Sequence, residues 1–274
     1  MVICPALRTG EELRVEKLGS IRSFHYQMYH PRMPRSYPSE IVALTTVLEK
    51  VCDTLETLAL MSESAPLSVM EGLHWPRLRK MVFYGSPLVG PFIRACFGMQ
   101  RLRYLSVKIS PAWSTMPQPI WPAGFDGAFP WPELERLTVS YPDPQDEIYD
   151  HLPSTLRSLS LRCWPHQHYQ TYLAEDVGMI GYPDTDHLLS PSVLLLLLHR
   201  CSMLTLDHLE IEYAADEQDD ALLQYVAATF PHLVGLIIHC YRTNLSRILR
   251  EDVPVASNPT PLSYVCSHPL IDLP

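Results

Sequence analysis

Glycine is scarce in this chain, 11 of 274 residues, while proline reaches 26. Average usage puts glycine ahead. So many prolines force frequent breaks and exclude an architecture of long uninterrupted elements. Close cysteine pairs are missing. Cys4, Cys52, Cys96, Cys163, Cys201, Cys240 and Cys266 are odd in number and widely spaced, with no C-x-x-C among them. That argues against a disulfide scaffold and reads as reduced thiols, several of them buried, in a cytoplasmic or nuclear protein. Long apolar runs are missing too. The longest, Val193 to Leu198, is far too short to cross a bilayer, and the opening MVICPALRTGEELRVEK has no apolar core of signal-peptide length. Positive charge is in deficit, with 21 Lys and Arg against 30 Asp and Glu, a formal net charge of −9. Neither nonspecific nucleic-acid binding nor docking on an anionic membrane suits that balance, although a local basic patch is not excluded.

Recognisable catalytic motifs are also absent. The chain has no G-x-G-x-x-G, no P-loop, no G-x-S-x-G and no H-E-x-x-H. Gly85-Ser86 lies in no nucleophile elbow. Asp216, Glu217, Asp219 and Asp220 stand at the start of a helical stretch, where the helix dipole accounts for them. Cys163, His166 and His168 suggest a metal, but H-x-H beside one cysteine lacks a second ligand pair at a familiar spacing. The expectation is a protein with no catalytic residues, no metal and no cofactor. A metal-binding or enzymatic protein built on the His-rich insertion is the minor alternative.

What the chain does have is hydrophobic content of 47% against 19% charged, enough for a sizeable core. It also repeats itself. The pattern L-x-x-L-x-L recurs as Leu55-Leu58-Leu60, Leu78-Met81-Phe83, Leu102-Leu105-Val107, Leu134-Leu137-Val139, Leu156-Leu159-Leu161, Leu206-Leu209-Ile211 and Leu233-Leu236-Ile238. A weaker copy, Ile21-Phe24-Tyr26, lies upstream. Aromatic-Pro precedes the leading leucine at Trp75-Pro76, Trp131-Pro132 and Phe230-Pro231, where proline stops what came before and hands the next residues to a strand. Between copies the apolar period changes from two to about 3.6. Helices are predicted over 39–51, capped by Ser39, over 87–97, over 190–201, capped by Ser190 with Pro191 in the first turn, and within 215–230.

Strand, connection, helix, Pro-containing return, strand is the unit of a solenoid. The pattern resembles the leucine-rich repeat family. More closely, phrases such as LPSTLRSLSLRCWP and LDHLEIEY resemble the irregular repeats of fungal, basidiomycete-type F-box proteins, over roughly residues 20 to 245. The resemblance implies an α/β leucine-rich-repeat solenoid of about 7–8 irregular repeats. A curved parallel sheet would line its concave side, and helices with irregular segments its convex side. Residues 1–274 would form one domain, with 246–274 as a C-terminal cap or tail. Many members of the family carry Asn or Cys three positions after the last motif leucine. Here those positions hold Glu63, Ser86, Ser110, Pro142, Trp164, Ala214 and Tyr241, and the chain has only two asparagines, so the turns must be held by other means.

The resemblance further implies a protein–protein interaction module, the substrate-recognition part of an F-box-type ubiquitin ligase receptor. An F-box needs several tens of residues, and residues 1 to 20 are too few. The expectation is therefore inherited substrate recognition, with the adaptor Skp1 as a partner only if an F-box is supplied elsewhere. A fragment, or an F-box-less structural scaffold, fits the same sequence.

If the motif leucines point inward, alternation sends the residues between them to the opposite face. The candidate partner-binding residues on that face are Lys80, Tyr84, Tyr104, Lys108, Arg136, Arg162, His208, Glu210, Glu212 and His239. Tyrosine and arginine are side-chain types favoured in binding hot spots. Two long insertions, 108–133 and 162–190, offer Trp113, Trp121, Tyr169 and Tyr172 as further contacts. Structurally, the same tryptophans would serve to cover the edge of the stack.

Overall fold

The computed structural model describes residues 20–26, 38–86, 92–109, 119–163, 188–201 and 204–241. Eight strands form one sheet: β1 (Ser23–His25), β2 (Thr57–Met61), β3 (Lys80–Gly85), β4 (Tyr104–Ile109), β5 (Arg136–Ser140), β6 (Ser158–Arg162), β7 (His208–Ala214) and β8 (Gly235–Tyr241). They lie in strict sequence order and every pairing is parallel. The sheet is open, with β1 and β8 as its edges. Each strand falls on one copy of the repeated pattern, and the register keeps the copies aligned. Leu58, Met81, Leu105, Leu137, Leu159, Leu209 and Leu236 run straight across seven strands, and Leu60, Phe83, Val107, Val139, Leu161, Ile211 and Ile238 form a second row. A slip of one residue would turn both rows to the wrong face.

Parallel neighbours need a crossover connection, and here the crossovers carry the helices. They are α1 (Pro38–Val51), α2 (Leu67–Gly72), α3 (Phe92–Ala95), α4 (Ile148–His151), α5 (Pro191–Arg200) and α6 (Asp219–Thr229). Leu44, Val47, Leu48 and Val51 of α1, Leu194, Leu197 and Leu198 of α5, and Leu222 and Val226 of α6 join the strand leucines in one continuous core. Burying a leucine this fully contributes roughly 1.5–3 kcal/mol. The aromatic-Pro signals mark real seams: Trp75, Trp131 and Phe230 are all buried in that core. Helix α1 starts at Pro38, so Ser39 lies inside its first turn instead of capping it. Proline suits that place because its missing N–H would have had no partner. Ser190 does cap α5, its Oγ accepting from the Val193 amide at 3.3 Å. Helix α3 is only four residues long, much shorter than the predicted 87–97; 87–91 lie outside the described residues.

Two devices tie successive copies together. At the N-terminal edge of each strand, one carbonyl accepts two amides from the next copy. Glu56 O accepts Arg79 N and Lys80 N, Arg79 O accepts Arg103 N and Tyr104 N, Arg103 O accepts Glu135 N and Arg136 N, and the series continues through Glu135, Arg157 and Asp207 to Gly235. At the C-terminal end, carboxylates do the work. Glu63 stands three positions after the last motif leucine of its copy, and its Oε1 accepts both the amide (3.0 Å) and the hydroxyl (2.9 Å) of Ser86. Gly85 permits this. Its φ is +119°, and a Cβ there would lie 2.3 Å from the Glu63 carboxylate.

A second carboxylate, Asp146, fixes the described part of the first insertion. It is 2% exposed and accepts the amides of Ile120 (2.6 Å), Trp121 (2.9 Å) and Ile148 (3.0 Å). Burial outweighs these donors and pushes its carboxyl up to about 6. Trp121 is thereby drawn inside, stacked on His151 with ring centroids 4.2 Å apart and donating its indole N–H to Phe125 O.

Candidate functional site

One face of the sheet packs on the helices; the other carries the side chains that alternate with the motif leucines. Ala59 and Val82 show the division, since both are buried yet stand outside the continuous core. Register arranges this second face in three rows. The first runs Thr57, Lys80, Tyr104, Arg136, Ser158, His208, Gly235, and the second runs Ala59, Val82, Ser106, Thr138, Ser160, Glu210, Ile237. In the third row Met61, Tyr84 and Lys108 align, as do Ser140 with Arg162 and Glu212 with His239. Pairing stops one rung short between β4 and β5 and again between β6 and β7. Those are the two joints where the long insertions leave the sheet.

All ten face residues expected from the sequence lie on this face, but in two different states. Toward β3–β5, Lys80 and Arg136 are exposed and Tyr84, Tyr104 and Lys108 are half-buried. The Lys80 ammonium sits 4.7 Å from the centroid of the Tyr104 ring. Their floor is made of small side chains, from Ala59 through Val82 and Ser106 to Thr138.

Toward β6–β8 the charges bind one another. Glu210 accepts the Ser160 hydroxyl at 2.6 Å and Arg162 Nη1 at 3.0 Å, and pairs with His239 Nε2 at 3.1 Å. Burial works to raise the Glu210 pKa, but Ser160, His239 and Arg162 together hold it below the ordinary value. Glu212 is 1% exposed, so the expectation that it meets a partner on the surface is corrected. Its carboxylate accepts the Cys163 amide at 2.6 Å and the Tyr241 hydroxyl at 2.8 Å, and lies 3.8 Å from Arg162 Nε. It bridges the β6–β7 joint where main-chain pairing has ended. Burial and the Glu212 charge push both the Cys163 thiol and the Tyr241 phenol up. His208 remains exposed and lies over Gly235, where a Cβ would come within 2.7 Å of its ring.

The same correction applies to Trp121, whose burial removes it as a surface contact. Trp113, Tyr169 and Tyr172 lie outside the described residues, as do His166 and His168. Sequence reasoning missed Ser160, Glu63 and Asp146 as organising groups. Only Glu63 carried a signal, its place at the expected Asn position.

Chemically, the Glu210 cluster does not arrange a nucleophile. In a Ser–His–carboxylate relay the imidazole stands between hydroxyl and carboxylate. Here the carboxylate stands between Ser160 and His239, so it receives both and the histidine does not face the hydroxyl. Cys163 is a buried thiol whose raised pKa disfavours the reactive thiolate. Among the described residues no three His, Cys, Asp or Glu side chains converge as a metal site, the five cysteines are free, and no helix is long and apolar enough to cross a membrane.

Fold and face together define an α/β protein with an open, all-parallel eight-stranded sheet, one face of which is not packed on the helical layer. Comparison of the chain with models of known protein families, with curated proteins and with solved structures returned no match.

Proposed function

We propose that this chain is a leucine-rich-repeat interaction module that binds a protein partner through the β3–β5 part of its open sheet face. The observation that carries the reading is the register: seven tandem L-x-x-L-x-L copies stack leucine on leucine, and their intervening residues therefore form one continuous surface. On that surface Lys80, Lys108 and Arg136 surround Tyr84 and Tyr104 over a floor of small residues, which suits an acidic segment carrying an apolar or aromatic side chain. The reading needs no catalytic step and no cofactor. Its finer form, substrate choice for a cullin-based ubiquitin ligase in the cytoplasm or nucleus, rests on the likeness of LPSTLRSLSLRCWP and LDHLEIEY to fungal F-box repeats. Skp1 enters only through an F-box supplied elsewhere.

Proximity labelling with the whole chain tests this, comparing wild type with K80E/R136E and scoring Skp1 separately. The double variant should lose the labelled partners while its circular dichroism spectrum and urea midpoint stay unchanged, because neither side chain is buried. Partners retained at wild-type intensity would remove the open face from the proposal.

A further inference from the structure

The N-terminal edge of the sheet carries its own charge pattern. In three consecutive copies the residues flanking the leading leucine read Arg77-Leu78-Arg79, Arg101-Leu102-Arg103 and Glu133-Leu134-Glu135. The three leucines are fully buried and fix the backbone, so the flanking side chains of successive copies stand near one another. The bifurcated carbonyls tighten this further, since Arg79 O accepts both Arg103 N and Tyr104 N at 2.9 Å. Two arginine pairs are thus stacked on adjacent rungs.

Stacked like charges cost free energy unless something neutralises them. Arg103 is neutralised: Glu133 and Glu135 of the next copy each come within 3.4 Å of its guanidinium. Among the described residues, no carboxylate comes within ion-pair distance of Arg77, Arg79 or Arg101. Glu56, the nearest copy on the other side, has its Oε1 3.7 Å from Arg22. All three arginines are exposed, and with Glu56 they line a surface hollow of about 240 Å³. Three guanidinium charges against one carboxylate leave two positive charges there, in a chain whose formal net charge is −9.

We infer that this hollow is a binding site for a phosphate monoester. A phosphate monoester carries about −1.5 to −2 charges at neutral pH, matching the excess, and its oxygens take the two-pronged hydrogen bonds that guanidinium groups offer. The hollow is open to solvent, so a phosphate group can reach the three guanidinium groups while the rest of its bearer stays outside. The site lies at the N-terminal ends of the strands, one residue before the open-face Lys80, and does not depend on the binding proposed there.

The test uses the full chain and inorganic phosphate, against sodium chloride at matched ionic strength. Phosphate should raise the melting temperature by a few degrees beyond the salt control at saturating concentration. Titration calorimetry should show binding at least tenfold weaker for R77Q/R101Q, and weakened also for R77K/R101K, which keeps the charge but loses the planar fork. R94Q, outside the hollow, should bind phosphate as wild type does. Without phosphate, R77Q/R101Q should melt no lower than wild type, because a repulsion has been removed. An identical response to phosphate and chloride, or wild-type affinity in R77Q/R101Q, would overturn the assignment. Competition by a phosphoserine peptide but not by its serine counterpart would place the phosphate on a protein partner. Phosphate binding that neither peptide displaces would make the ligand a small phosphorylated molecule.

Discussion

The two halves of the open face carry the same kinds of residue and use them differently. In β6–β8, the Arg162, Glu210, Glu212 and His239 side chains are 27%, 24%, 0% and 18% exposed, and they bond to one another, to Ser160 and to Tyr241. In β3–β5, Lys80 and Arg136 are exposed, and the Lys80 ammonium lies over the Tyr104 ring. Both halves contain a joint whose pairing stops a rung early, β4–β5 and β6–β7, and the difference lies in what closes it. The β6–β7 connection carries the longer insertion, its pairing stops a rung early, and Glu212 restores the missing bonds from a side chain. Between β3 and β4 six consecutive pairs hold, so Lys80 and Lys108 above them are not needed to close the joint. A charged residue on a repeat face is therefore available for binding only where the backbone does not need it.

The largest effect should come from removing the acceptor that closes the weak joint. Glu212→Ala takes this acceptor from the buried Cys163 amide and the half-buried Tyr241 hydroxyl and should cost about 2–4 kcal/mol in urea unfolding. Arg136→Ala on the other half should cost less than about 0.5 kcal/mol. Equal costs at the two positions would erase the distinction between the halves.

Acid titration separates the groups further, because two of the carboxylates have shifts of opposite sign. The Glu210 pKa is held below its ordinary value in the folded chain, so its contribution is present above about pH 4.5 and is lost as the pH falls through the folded value. Asp146 is raised to about 6, so the folded chain holds that proton more tightly than the unfolded chain. Its contribution is complete below about pH 4 and is lost as the pH rises through about 6, up to about 3 kcal/mol. Urea midpoints measured from pH 3.5 to 7 should show D146N flattening the slope between 4 and 6, and E210Q flattening only the acid limb. An E210Q profile that matched wild type below pH 4.5 would mean that the far-half cluster does not hold the carboxylate charged.

The strands and their order could be read in the sequence because period-two alternation and stacking are both local rules: Leu159 needs only Leu137 and Leu209 beside it. The face assignments followed from the same alternation. What could not be read was which charges would meet across copies. Arg162 and Glu210 are 48 positions apart, with an insertion between them that no periodicity spans. The reach of Asp146 to Ile120 and Trp121 is likewise set by how one loop folds back onto another, so the sequence offered Trp121 both as edge cover and as a contact without deciding between them. Helix starts failed for a smaller reason. Ser39 and Ser190 are both serines ahead of an apolar run, but only Ser190 has the proline after it instead of before it.

The smallest predicted effect is the most direct measure of how loosely the near half is held. Lys80 and Tyr104 face each other across β3 and β4 in register, with the ammonium 4.7 Å from the ring centroid. At an exposed site such a contact is worth about 0.5–1 kcal/mol. A double-mutant cycle of K80A and Y104A, read by urea unfolding, should return a coupling in that range, and no more. A weak coupling means that Lys80 can leave the ring for an incoming carboxylate at little cost, which a binding face requires. Coupling above about 2 kcal/mol would show the near half locked like the far half, and Lys80 would then belong to the fold.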